Sequence, residues 1–216
     1  MYTPKHFLEE RPEALHQLVH DHPLGLLITL GPQGMDATPI PFLLDTEPGG
    51  SAVLRAHVAR ANPVWREART DVDTLVVFQG PQAYISPGWY PSKAENGKTV
   101  PTWNYITVQA RGRLVVHDDA EWLRGLVTRL TQRHEAVQAK PWAVTDAPPD
   151  YIDAMLRAIV GIEIPLASLT GKWKMSQNHT VANREGVARG LRELGDEQAM
   201  AVAAWVERGG APGSPS

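Results

Sequence analysis

The spacing of apolar and polar positions changes several times along the chain, and each change marks an element. Within residues 12–22, Leu15, Leu18 and Val19 share one face, which predicts a short amphipathic helix. Pro12 suits its first position, where a missing N–H costs nothing. Residues 24–30 are almost wholly apolar and read as a buried strand. Gly31-Pro32-Gln33-Gly34 is a turn, and residues 35–45 form the returning strand. Pro39 and Pro41 confine that strand to an edge or a bulge. Pro48-Gly49-Gly50 turns again into a strand over 52–57, and a short helix follows from Asn62 or Pro63 to Arg69. Residues 75–79 and 82–86 are two strands about a Gly80-Pro81 corner. Residues 87–101 make a long loop rich in Pro, Gly, Lys and Asn, a length that in compact domains goes with function or mobility. Residues 103–117 are a long strand with a kink at Gly112.

The second half adds helices. One starts at Asp118, with Glu121 three residues on in a capping-box arrangement. Leu123, Leu126, Val127 and Leu130 give it an apolar face. Pro149 opens another helix, lined by Ile152, Met155, Leu156 and Ile159. Residues 161–169 alternate as a strand, and helices at 184–194 and 197–207 follow, separated by Gly195-Asp196. Six or seven strands in short antiparallel connections, with helices between and after them, predict a mainly β architecture: an antiparallel β-barrel with C-terminal helices. The expectation is one domain over residues 1–208 and a flexible Gly/Pro/Ser tail at 209–216.

Composition narrows the chemistry. Of 216 residues 43% are hydrophobic, enough for a core, and the net charge of −3 gives no basic footprint for nucleic acid. With no cysteine, disulfides, thiolate–metal sites and a Cys nucleophile are excluded. No apolar run resembles a signal peptide or is long enough to span a bilayer, so the expectation is a soluble, cytoplasmic protein. No Gly-x-Ser-x-Gly elbow, Walker loop or Gly-x-Gly-x-x-Gly occurs.

Several segments carry polar chemistry. Residues 55–63 end a strand and begin a helix, whose free N–H groups suit a phosphate; Arg60 adds a fork of donors, and His57 and Asn62 further polar groups. A solvated arginine and a capping Asn62 would explain the same pattern. In residues 171–178, Lys172 and Lys174 flank Trp173, and Ser176, Gln177 and Asn178 follow. The cations could neutralise a phosphate and the uncharged groups read a flat heterocycle, or the stretch is a polar loop. Trp103-Asn104-Tyr105 follows the long loop with its Trp89 and Tyr90; such aromatics stack on a cofactor or fill a core or dimer interface. His16 and His20 are one helical turn apart, with His22 nearby, but a solvated face accounts for them better than a metal site does. The C-terminal helix pair looks like a DNA-reading hairpin, yet its second helix opens on Asp196 and Glu197, which phosphate would repel.

Taken together, these segments resemble the PaiB-type FMN-binding proteins, known as negative transcriptional regulators. The likeness takes in Met1-Tyr2-Thr3-Pro4 with Phe7, His57-Val58-Ala59-Arg60-Ala61-Asn62-Pro63, Phe78-Gln79-Gly80-Pro81, Tyr84-Ile85-Ser86-Pro87 and Trp89-Tyr90. It continues through Val100-Pro101-Thr102-Trp103-Asn104-Tyr105 to Gly171-Lys172-Trp173-Lys174-Met175-Ser176-Gln177-Asn178. The resemblance implies an FMN-binding split β-barrel and a homodimer with two cofactor sites near the subunit interface. It places the phosphate at His57, Arg60, Ala61 and Asn62, and puts Trp103, Asn104, Lys172, Lys174, Ser176, Gln177 and Asn178 at the cofactor. It implies regulation through flavin state or a partner protein, with a flavin-dependent oxidoreductase or flavin reductase as the alternative and a haem protein behind both. The chain departs from the family at Thr38-Pro39-Ile40-Pro41, where Pro39 stands in place of the usual His.

Overall fold

A computed structural model describes residues 1–47 and 49–209, the side chain of Asn96 excepted. Pro48 and the tail beyond Gly209, where a turn residue and a flexible segment were expected, lie outside the described residues. In chain order the elements are β1 (Leu8–Glu9), α1 (Pro12–Asp21), β2 (Leu24–Gly31), β3 (Gly34–Pro41), β4 (Leu43–Thr46), β5 (Ala52–Ala59), α2 (Val64–Glu67) and β6 (Thr74–Ile85). Then come α3 (Ser92–Asn96), β7 (Thr102–Gly112), β8 (Val115–His117), α4 (Ala120–Glu135), α5 (Pro149–Arg157), β9 (Ile159–Lys174), α6 (Val181–Leu194) and α7 (Glu197–Glu207). The strands hydrogen-bond in the order β3-β2-β6-β7-β9-β5-β4, with β1 and β8 also on β9. The pairings of β1, β2, β3, β4, β5 and β8 are antiparallel.

The chain divides into two compact units. One comprises Met1–His22, Phe78–Gln109 and the described residues from Leu169 on; the other comprises Pro23–Val77 and Ala110–Ser168. The strands β6, β7 and β9 have residues in both.

In the second unit, β2 and β3 form a hairpin, Leu24 opposite Pro41 through Gly31 opposite Gly34. The expected burial of 24–30 on both faces is not found. Leu27 is fully buried, while Leu24 is 64% exposed and Leu26 and Leu30 are each 38% exposed. The strand is therefore covered mainly on the face that carries Leu27. The predicted strand 35–45 is two strands. It breaks at Phe42, whose side chain is fully buried and whose N–H donates to the Pro23 carbonyl. Burying such a side chain stabilises by roughly 1.5–3 kcal/mol, enough to turn the chain inward. After the break β4 pairs with β5, at the other end of the strand order. β3 also touches β5, so the sheet of this unit curls round. The edge position of β3 suits Pro39 and Pro41, which have no N–H for a second neighbour.

Here α4 is capped by Asp119, one residue later than expected, with its carboxylate accepting from Trp122 N–H. Leu123 of α4 packs with Ile152 and Leu156 of α5, and Leu126 and Leu130 pack with Leu43. β7 ends at Gly112, a position that takes glycine because a Cβ there would lie 2.1 Å from the Pro165 carbonyl oxygen. Arg55 holds this unit's polar side together, donating to Glu163, Asp45 and Glu47 at 2.5–2.7 Å.

In the first unit, Gly80 and Pro81 do not break the sheet, and β6 runs unbroken through them. Gly80 is needed because α1 packs so closely that a Cβ would lie 2.8 Å from Leu18. Pro81 is tolerated because the pairing of β2 with β6 covers only Leu75, Val76 and Val77. The neighbouring Gln82 N–H is met by the Gln198 side chain. The loop 87–101 carries a 3₁₀ turn (Pro87–Trp89) and α3. The helices α6 and α7 form a hairpin, with Val187, Leu191, Val202 and Val206 buried and Arg192 paired to Glu207.

Candidate functional site

The segment 171–178 is a strand end rather than a loop. β9 continues to Lys174 and brings Gly171 under the Trp173 ring, where a Cβ would lie 2.2 Å from the indole. A tight turn follows. The Gln177 side chain closes it, accepting from Met175 N–H at 2.7 Å and donating to the Trp173 carbonyl at 2.5 Å. Ser176 sits in the left-handed region at φ 63, the one non-glycine residue with positive φ among the described residues. Such a conformation costs roughly 1–3 kcal/mol and is found where the surroundings enforce it. Here it turns the Ser176 hydroxyl onto Asn104 of β7, which donates to it at 3.0 Å. Both side chains are buried, at 1% and 3% exposure.

Two ammonium groups lie beside this pair. Lys174 donates to the Thr102 hydroxyl at 2.5 Å and the Trp103 carbonyl at 2.8 Å. Lys172 donates to the Tyr2 carbonyl at 3.1 Å. Both approach the Tyr105 ring, at 5.3 Å for Lys172 and 6.0 Å for Lys174. Among the described residues neither is ion-paired to a carboxylate. Burial pushes the Lys174 ammonium below its usual range; the Tyr105 phenol opposes that and Lys172 adds to it.

Asn104, Ser176 and Lys174, but not Lys172, line a cavity of about 300 Å³, at the small end of the ~300–1,000 Å³ typical of ligand pockets. Thr102, Asn104, Lys174, Ser176 and Asn178 form one side, and Tyr90, Ser92, His179 and Asn183 another. Tyr90 stacks on His179 with centroids 4.9 Å apart. Burial, and then the charge of Lys174, hold His179 below its usual range, which favours the neutral imidazole. Asn183 donates to the Ser92 hydroxyl at 3.0 Å, tying α6 to the loop. Ser92, His179 and Asn183 escaped the sequence reading; His179 directly follows the matched motif, the one signal that could have exposed it. Trp103, alternating with Asn104 along β7, lines a different hollow with Tyr105, Gln79 and Gln82, and its ring meets Tyr84 edge-on at 6.2 Å.

The remaining candidates, His57, Arg60, Ala61 and Asn62, belong to the other unit. The expected helix from 62 to 69 is the single turn α2, cut short because Ala68 is extended and Arg69 N–H returns to the Leu30 carbonyl of β2. A four-residue helix has little dipole for an anion. Pro63 is its N-cap, and Asn62 just before it accepts from Val64 N–H at 2.9 Å. Arg60 is engaged within the protein: its guanidinium grips both carboxylate oxygens of Asp118, at 2.9 and 2.5 Å, and donates to the Arg157 and Ile159 carbonyls. His57 is half-buried, and its buried Nδ1 has no hydrogen-bond partner among the described residues. Burial lowers its pKa. Ala61 is exposed.

Comparison with known proteins supplies the family. Residues 1–168 match the family described as "Putative FMN-binding domain". The chain belongs to the PaiB-type FMN-binding family. An uncharacterised protein of Emericella nidulans is 34% identical, covering 97% of this chain and 98% of that one. The Bacillus subtilis protease synthase and sporulation protein PAI 2 is 28% identical, covering 96% and 97%. Among solved structures, a conserved hypothetical protein of Mycobacterium tuberculosis superposes with a TM-score of 0.57 at 13% identity, covering 83% of this chain and 94% of that one. The flavocytochrome Anf3 of Azotobacter vinelandii gives 0.56 at 12% identity, covering 77% and 69%. The fold is therefore the antiparallel FMN-binding split β-barrel with C-terminal helices, and the cofactor is FMN. The donor-rich, cationic cavity fits a cofactor with a polar ring edge and a phosphate.

Proposed function

We propose that this PaiB-type protein is a cytoplasmic transcriptional regulator that works as a homodimer and acts through the state of its flavin or through a partner protein. The cavity at Lys174, Asn104 and Ser176 carries this reading: it is a polar, cation-lined pocket in a chain of an FMN-binding family. Lys172, Lys174, Asn104, Ser176, Gln177 and Asn178 are the residues we assign to the flavin from the first unit, with Trp103 on the neighbouring surface. His57, Arg60, Ala61 and Asn62, in the other unit, are proposed as flavin-phosphate ligands on the family resemblance alone. The relative PAI 2 is named for protease synthesis and sporulation, which fits a regulatory role. FMN supplies redox chemistry when bound, and the surrounding side chains bind, orient and shield it.

Direct DNA reading is disfavoured. The α6–α7 hairpin buries its apolar faces inside its own unit, and α7 opens on the carboxylates of Asp196 and Glu197. The dimer reading draws on the outer face of the β2–β3 hairpin. There Leu24, Leu26, Leu30 and Met35 are exposed, Met35 at 82%, and Pro39 lies opposite Leu26. Exposed apolar area of this kind marks an interaction surface.

The test is a gel-shift against DNA from upstream of the protein's own coding region, at physiological salt, with oxidised and reduced flavin. No selective shift by the protein alone is expected; tight, sequence-selective binding would refute the reading. The second reading, a flavin-dependent oxidoreductase, draws on the open cavity with its titratable Lys174 and His179. It predicts turnover of NADH or NADPH.

A further inference from the structure

Four arginines fall within residues 55–69: Arg55, Arg60, Arg66 and Arg69. Three of them are bound to carboxylates. Arg55 pairs with Glu163, Asp45 and Glu47, Arg60 grips both oxygens of Asp118, and Arg69 grips both oxygens of Asp71. Arg66 has no carboxylate partner among the described residues. It lies instead over an aromatic ring, its guanidinium carbon 4.8 Å from the Trp65 centroid.

That ring is fixed in place. The Trp65 indole N–H donates to the Arg60 carbonyl at 3.0 Å, and the Arg60 guanidinium approaches the same ring at 5.9 Å. Val64, next to Trp65 in α2, is buried, and its N–H is taken by Asn62. A guanidinium over an aromatic face is attracted to it, and its planar fork then loses little freedom on taking a bidentate anion. Donor use separates the two arginines on this ring. Arg60 commits its Nε–H and both Nη atoms to Asp118 and to the Arg157 and Ile159 carbonyls. A phosphate on Arg60 must therefore displace Asp118. Arg66 is exposed, and its fork is held by no carboxylate among the described residues.

We propose that Arg66, laid on Trp65, is a phosphate ligand, its guanidinium donating paired N–H bonds to the phosphate monoester of the flavin. The proposal rests on the FMN reading, with the phosphate at the corner between β5 and α2. It adds a cation that lies just beyond the matched run from His57 to Pro63.

The test is titration of FMN, and separately of riboflavin, into the flavin-free protein, followed by quenching of flavin fluorescence. The two ligands differ by the phosphate, so the ratio of their affinities reads the phosphate alone. The wild type should prefer FMN, and Arg66→Gln should cut that preference about tenfold. It should do so by weakening FMN, with riboflavin affinity and the melting temperature of the flavin-free chain unchanged. Arg69→Gln removes the same charge from the same segment, where it is paired to Asp71, and should keep the wild-type preference. An unchanged preference in Arg66→Gln would overturn the proposal. So would an equal fall in Arg69→Gln, which would make the effect one of net charge. If the wild type takes up both flavins equally well, the phosphate is not held, and the proposal fails while flavin binding stands. If it takes up neither, the FMN reading fails and the proposal with it.

Discussion

Asn104 and Ser176 are the pair on which the site's geometry depends, because each is buried and each is the other's partner. Asn104→Ala leaves the Ser176 hydroxyl without that partner, and an unsatisfied buried polar group costs about 1–3 kcal/mol. Urea denaturation should show a stability loss of that order. A loss below ~0.5 kcal/mol would mean that the pair does not hold the turn. Among the histidines, His57 has the clearest pH consequence. Burial lowers its pKa below the ordinary 6.5, so the folded protein favours the neutral ring while the unfolded chain takes up a proton near 6.5. In that interval the unfolded state binds more protons, so stability is highest above 6.5 and falls as the pH drops below it. The ion-paired carboxylates Glu9, Asp45, Asp118 and Glu207 lose their contribution only at lower pH, below their ordinary values of 3.8–4.5. Thermal melts between pH 7 and pH 5 should therefore show falling stability, and the slope should flatten in His57→Gln. An unchanged slope in that variant would place the proton uptake elsewhere.

At the scale of elements, the loop 87–101 is seated on α6 by two glycines. A Cβ at Gly190 would lie 2.4 Å from the Trp89 indole, and one at Gly186 would lie 2.1 Å from the Trp89 carbonyl oxygen. Gly190→Ala should unseat Trp89, overpacking that costs typically 1–3 kcal/mol, and shift tryptophan fluorescence towards that of an exposed indole. Unchanged emission and stability would contradict the seat. This contact was not legible in the sequence, where the helix reads simply as residues 184–194 with glycines in it. The long elements were legible: α1, β2, α5 and α7 lie where apolar periodicity and proline placed them. What failed was continuity. Gly80-Pro81 looks like a corner, but α1 needs the glycine's space and the strand edge tolerates the proline. Residues 35–45 look like one strand, yet burial of Phe42 splits them. Residues 171–178 look like a polar loop, because an alternation that hides lysines under an aromatic ring does not register as a strand. Of the site, Lys174, Ser176 and Asn104 were marked by the polar and aromatic runs that hold them and then by the resemblance. Ser92, His179 and Asn183 were not, because they meet through tertiary contacts of no fixed spacing.

For the whole molecule, the cofactor is the claim from which the functional readings descend. The fold and family give FMN; the structure gives a polar cavity on whose wall Lys174 donates to neutral acceptors, and the regulation we propose does not require a DNA-reading helix. An exposed apolar hairpin face supports a second copy as partner. The most direct measurement is the absorption spectrum of the purified protein, followed by titration with FMN. The account predicts flavin bands that co-elute with the chain, or saturable uptake approaching about one FMN per chain, with Asn104→Ala and Lys174→Met weakening that uptake. A colourless protein that takes up no FMN on titration would contradict it.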